Sequence, residues 1–325
     1  AGLAAFSGIL YDAGGSFEAV KMKKYALAVG CAAICFADIN AALPKPVLYP
    51  LWAKSKYMPN SLFAYEKWNP ISRITVFKEQ TDNEPFLWGP SSQLPKNRKV
   101  DLSYLTIDND AGTPITHLKD GDLKTHDYLS YDITNLAYSL PNLEKAAIIG
   151  VGGGRDALSA KFFGLKKVVA MDVNPVQVNL LTKHPFYSEY AGLKKLDGMN
   201  IINSEARSWF RQNEEPFDVI EMSLIDTWAA TGAGAFALSE NGLYTREAWS
   251  IFFHDLSPNG VFTVSRWSIE GYMDDTARLL SLAMATLFKE GVTDVSDHIF
   301  LASSDSIVTL VLSKSPFTNA QISAL

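Results

Sequence analysis

The chain has 325 residues, 47% of them hydrophobic and 20% charged, with a formal net charge of −6. That length fits about two domains at ~100–200 residues each, and the balance excludes a disordered, collagen-like or low-complexity protein. Two cysteines exclude a disulfide framework, and five scattered histidines give no zinc-finger spacing. The charge is uneven: residues 1–100 sum to +5 (12 Lys/Arg, 7 Asp/Glu) and residues 101–325 to −11 (17 and 28). An acidic working domain argues against nucleic acid and suits a cationic small substrate.

In chain order, Tyr25 to Leu43 (YALAVGCAAICFADINAAL) predicts an apolar N-terminal helix, flanked by Lys21, Lys23, Lys24 and Lys45. Its uninterrupted apolar core, Tyr25 to Ala37, is 13 residues long, whereas a spanning helix needs ~20. Spanning, interfacial and buried helices therefore stand as alternatives. Cys31 and Cys35 lie one helical turn apart with no other ligand nearby, and read as buried reduced thiols. Residues 44–70, rich in Pro, Lys and aromatics, predict a linker that hugs the surface. The runs SRITVFKE, FLWG and SYLTIDND predict a small antiparallel sheet, and Asp127 to Leu140 a helix.

From Ala146 strands alternate with helices. The predicted strands are AAIIGV, KVVAMDV, MNIINS, FDVIEMSL and GVFTVSRW. The helices between and after them cover about Asp156–Phe163, from Asn174-Pro175 onward, Glu205–Gln212, Arg246–Leu256 and Asp274–Lys289. HIFLAS and SIVTLVLS follow as a strand pair. This order predicts an α/β fold with a seven-stranded Rossmann-like sheet of the nucleoside-binding kind. The expected division is an apolar helix and linker over 1–60, a small β-rich region over 61–140, and a nucleoside-binding α/β domain over 141–325.

The first strand of that domain runs into Gly150-Val151-Gly152-Gly153-Gly154, where open α/β sheets bind ligands at a helix N-terminus. The cofactor-binding candidates are Gly150, Gly152, Gly154, Asp172 and Glu205. Asp172 ends the second strand, where a carboxylate accepts hydrogen bonds from ribose hydroxyls; its competing reading is a helix N-cap. Glu205, after the third strand, reads either as a partner for an adenine amino group or as an acid favoured in a first helical turn. The fourth strand runs out into Ser223-Leu224-Ile225-Asp226-Thr227-Trp228, which aims Asp226 at the reactive end of the ligand. The small residues Ala229–Ala235 beyond it permit close substrate contact or a lid.

The segments GVGGGRDAL, MDVNP, EARSW, SLIDTWAATGAGAFALSEN and LYTREAW…LSPNGVFTVSRW resemble the polyamine aminopropyltransferases, or spermidine synthases. The likeness is greatest to the larger bacterial proteins that carry this domain after a membrane region, and it extends over residues ~60–315. It implies that the glycine turn, Asp172 and Glu205 hold decarboxylated S-adenosylmethionine or S-adenosylmethionine, with no metal. Tyr131 would line an amine channel, and Asp226 would be the second of two catalytic aspartates. Two positions depart from the family pattern: Gly153 stands where the turn carries an aspartate, and Ser223 replaces the first aspartate after strand four, the presumed base. The resemblance also makes Tyr25–Leu43 the last helix of a membrane region, with the α/β domain in the cytoplasm and residues 1–60 facing a membrane or membrane-protein partner. It implies the sheet of the class I S-adenosylmethionine-dependent transferases and a sequence that is a fragment at both ends; a homo-oligomer is also expected, and the charge arithmetic excludes nucleic acid. The competing functions are an S-adenosylmethionine-dependent methyltransferase and a catalytically idle subunit of a membrane assembly.

Overall fold

Helix α1 (Phe17–Ala42) opens the computed structural model, which describes residues 17–43, 47–49, 51–53, 56–109, 111–225, 242–268 and 274–325. Asn40 closes this helix by tying the following chain to it: its Oδ1 accepts from the amides of Val47 and Leu48, and its Nδ2 donates to Leu48 O. No helix among the described residues is long and apolar enough to cross a membrane. Cys31 and Cys35 are exposed, which corrects the buried-thiol expectation. The helix stands off the core, leaving Val29, Ile34, Phe36 and Ile39 exposed as well.

The stretch expected as a linker contains the short hairpin β1 (Trp52–Ala53) and β2 (Lys56–Tyr57), then β3 (Phe63–Trp68). β3 joins β4 (Arg73–Phe77), β5 (Gln80–Asn83), β6 (Val100–Ile107) and β7 (Ala111–Thr116) in a small antiparallel sheet of order β3-β4-β6-β5, with β7 on β6. Here the FLWG run is not a strand. Its amides serve a side chain instead: Trp88 N and Gly89 N both donate to Asp132. The same carboxylate breaks the helix expected over 127–140. Two 3-10 helices, Leu123–Tyr131 and Ile133–Ser139, flank an extended Asp132 whose side chain also accepts from Thr134 N.

The α/β region follows the expected alternation. Strands β8 (Lys145–Ile149), β9 (Lys167–Asp172), β10 (Met199–Asn203), β11 (Phe217–Ser223), β12 (Leu256–Trp267), β13 (Ile299–Ser304) and β14 (Ile307–Ser313) form one sheet of order β10-β9-β8-β11-β12-β14-β13. The first five run parallel. β14 lies antiparallel to both its neighbours because it returns from β13 by a tight turn, where Asp305 takes φ +52°. The helices are α2 (Arg155–Phe162), α3 (Pro175–Thr182), α4 (Tyr187–Ala191), α5 (Ala206–Phe210), α6 (Arg246–His254), α7 (Asp274–Lys289) and α8 (Asn319–Ala324).

Strand alternation sends successive side chains to opposite faces, so this sheet has two cores. Ile149, Ile220 and Phe262 pack with Trp249, Phe252 and Ala283 on one face. Ile148, Val219, Val261 and Val311 face the other way, in a cluster that also contains Ile74, Val76, Leu105 and Ile115 of the small sheet. The β-rich region thus covers one face of the larger sheet beside the carboxyl end of β8.

Candidate functional site

The glycine turn forms because β8 ends beneath β9: Gly150 N and Val151 N both donate to Met171 O at 2.9 Å. Gly154 sits at φ +93°, ψ 5° as the residue that opens α2, a conformation costly for any residue with a Cβ. Gly153 is required for a different reason, close approach. A Cβ there would lie 2.1 Å from the Pro114 carbonyl oxygen of β7. Backbone of the small sheet thus occupies the space that a side chain at this position would need.

Asp172 reaches back over the turn. Its Oδ2 accepts from Gly152 N at 3.1 Å and its Oδ1 from Asn174 N at 2.8 Å. The N-cap of α3 is Asn174, whose side chain accepts from Val176 N and donates to Ser72 Oγ. Asp172 is thus not the cap; it is a buried carboxyl aimed at the glycine turn. Burial pushes its pKa up to about 6, against the two amide hydrogen bonds that favour the charged form. Glu205 does cap a helix: its carboxylate accepts from Arg207 N (3.1 Å), Ser208 N (2.9 Å) and Ser208 Oγ (2.7 Å) at the start of α5. Partial burial opposes ionisation there, but those donors hold the Glu205 carboxyl below its ordinary range.

Beneath the turn lies a buried polar network that sequence reasoning missed. The Arg155 guanidinium bonds Asp132, Asp156 and, at 2.6 Å, Thr134 Oγ1. On β11, Glu221 is fully buried; it accepts from Tyr138 Oη at 2.5 Å and from Ser223 Oγ at 2.9 Å. Arg155 thus pairs with two carboxyls, and the third, Glu221, lies near enough to feel its charge. Burial opposes the charge on Asp132, yet Arg155 and the amides of Thr134, Trp88 and Gly89 hold its carboxyl below the usual range. Burial and then the nearby Asp156 push Glu221 well above its own, and burial likewise raises Asp156. The sequence signal was Glu221, an acid set between the apolar Val219-Ile220 and Met222 in β11, two residues before Ser223 and so on the same face.

β11 leaves the sheet through Leu224 at φ +47°, a backbone state rare for a branched apolar residue, and Ile225 then packs on Gly150. Asp226 and the small-residue stretch Ala229–Ala235 lie outside the described residues. Tyr131 ends its 3-10 helix half-buried, its carbonyl accepting from Ser91 N at 2.7 Å. The structure therefore brings together Gly150, Gly152, Gly154 and Asp172 at one turn, with Ser223 at the end of the adjacent strand.

No family model matches the chain, and no curated protein matches it in sequence. The fold matches solved structures. A spermidine synthase in complex with the transition state analogue AdoDATO is 16% identical with a TM-score of 0.51, over 85% of this chain and 86% of that one. The spermidine synthase of Thermotoga maritima is 15% identical with a TM-score of 0.49, over 85% of each. Human methyltransferase-like protein 13 in complex with SAH is 13% identical with a TM-score of 0.42, over 58% of this chain and 84% of that one. The first of these likenesses bears on the fold alone: the chain shares the overall α/β fold of that solved structure over 85% of its length.

Proposed function

We propose that the chain is a transferase that holds an S-adenosylmethionine-type nucleoside over the glycine turn, with an aminopropyl group moved to an amine as the finer reading. One observation supports the nucleoside: a buried Asp172 carboxyl bridges the end of β9 to Gly152 N, at the carboxyl end of the sheet where open α/β folds take their ligands. Gly150 to Gly154 supply backbone that a ligand can approach closely. Glu205 keeps its role toward an adenine amino group only by sharing oxygens already committed to α5.

In aminopropyl transfer an amine lone pair attacks the methylene carbon beside the sulfonium. The carbon–sulfur bond breaks, its electron pair returns to sulfur, methylthioadenosine leaves, and the new ammonium gives up a proton. Electrostatics and positioning do most of this work. Asp226 is our candidate for the proton, with Tyr131 orienting the amine. Ser223 stands where the family's first aspartate belongs, but it is not isolated from acid. Its hydroxyl donates to Glu221, so the carboxyl sits one pleat lower on the same face. The same substitution favours a second reading, methyl transfer, which does not require a carboxylate for a diamine.

Thermal stabilisation by methylthioadenosine, S-adenosylmethionine and decarboxylated S-adenosylmethionine tests the nucleoside. A ligand at a hundredfold excess over Kd adds ~2.7 kcal/mol; no shift with any of the three refutes the reading. Release of methylthioadenosine from the decarboxylated form with putrescine then separates aminopropyl from methyl transfer, and Asp226→Asn should abolish that release without weakening nucleoside binding.

A further inference from the structure

Away from the glycine turn, three side chains that are distant in sequence converge on the small sheet. Glu79 precedes β5, Asp101 lies on β6 and His117 follows β7, and one ligand atom from each lies within 4.8 Å of the others. The backbone holds two of them in register, since His117 N donates to Asp101 O at 2.9 Å. His117 Nδ1 then stands 3.9 Å from Asp101 Oδ2, too far for a hydrogen bond, while Asp101 Oδ1 is taken by Asp82 N at 3.1 Å.

A second observation points the same way. Tyr190 of α4 stacks on the His117 ring, with centroids 4.4 Å apart and planes 11° apart, and it is 5% exposed. Its hydroxyl and that of the fully buried Ser103 complete no hydrogen bond of good geometry, and the Tyr190 hydroxyl lies close enough to Glu79 and Asp101 to feel both charges. Ser103 is two residues from Asp101 and so projects from the same face of β6. A buried hydroxyl whose bonds to its neighbours are poorly formed costs free energy that a bound ion or its water shell would recover.

We propose that Glu79, Asp101 and His117 form a binding site for a divalent transition-metal ion, with the Tyr190 and Ser103 hydroxyls held toward its bound water. One imidazole and two carboxylates suit zinc-like ions; magnesium and calcium prefer oxygen alone. The ion would join β5, β6 and β7 at the edge nearest α4. It takes no part in the chemistry proposed at the glycine turn.

Calorimetric titration of Zn²⁺ into the full chain carrying Cys31→Ser and Cys35→Ser tests this, because those exposed thiols would otherwise compete. One ion per chain is expected, with Mg²⁺ failing to displace it. His117→Ala should weaken Zn²⁺ more than ~100-fold, since losing even an outer-shell partner costs ~10–100-fold. Glu79→Gln, at an exposed position, tests the site without disturbing packing and should weaken it at least ~10-fold on the same scale. Absence of saturable binding overturns the proposal, as does an affinity unchanged in both variants. Circular dichroism of each variant confirms that a lost ion is not a lost fold.

Discussion

Asp172 is asked to be two things at once, a buried group and an anion. Its folded pKa of about 6 lies above the ordinary 3.8, so the protonated form is favoured by folding. The corresponding stability is fully present below about pH 4 and is lost as pH rises toward 6, a penalty of roughly 3 kcal/mol at neutral pH. A ribose offers donors only the ionised carboxylate can fully use. Affinity for methylthioadenosine should therefore rise as pH climbs through about 6, and Asp172→Asn should flatten that profile and weaken binding ~10-fold or more; calorimetry across the interval checks both. This residue was legible in the sequence because it ends the strand that follows the glycine motif and its helix. Glu205 was legible only as two alternatives, and the amides of Arg207 and Ser208 show its carboxylate capping α5. Glu221 was not legible: nothing local says that an acid within a strand will meet Tyr138, 83 residues away.

Between elements, Arg155 is the one guanidinium that lets α2, the 3-10 pair around Asp132 and β11 pack together over buried acids. Arg155→Met would leave Asp132, Asp156 and Glu221 to share a dry space without a cation. A loss of ~3–5 kcal/mol in chemical denaturation is expected, with most of it recovered at low pH as the carboxyls protonate. The parallel strands were readable because each is a short apolar run closed by turn residues and followed by a helix. The small sheet was harder. β5 is QTDN, with no apolar signal, and it forms because Gln80 and Asn83 find partners on β6. β7, AGTPIT, contains both a glycine and a proline, so pairing with β6 rather than propensity makes it a strand. FLWG had the right composition and lost its place to the needs of a buried carboxylate.

At the scale of the molecule, the β-rich region and the α/β region are not separable in energy. Ile74, Leu105 and Ile115 share a core with Ile148 and Val219, and Asn69 Nδ2, Ser72 Oγ and Leu118 N each bond the α/β side, to Asn174 Oδ1, Asn174 Nδ2 and Tyr190 O. Residues 56–325 should therefore unfold in a single transition, with coincident tryptophan fluorescence and far-ultraviolet dichroism and equal calorimetric and van't Hoff enthalpies. Two resolved transitions would contradict a shared core. The charge changes sign near residue 100, inside the small β-rich region, so that change marks electrostatics and not a boundary of packing. The strands that flank it are part of one hydrophobic assembly.

The contact between Gly153 and the Pro114 carbonyl also limits what position 153 can hold. No side chain fits there while β7 lies where it does, and the small sheet is tied to the α/β region through Leu118 and Asn174. Gly153→Asp would therefore cost the seam between the turn and β7 before it gained a ligand contact. The small sheet thus acts as a blank wall on one side of the turn, and whatever the turn binds must be met by groups on its other sides.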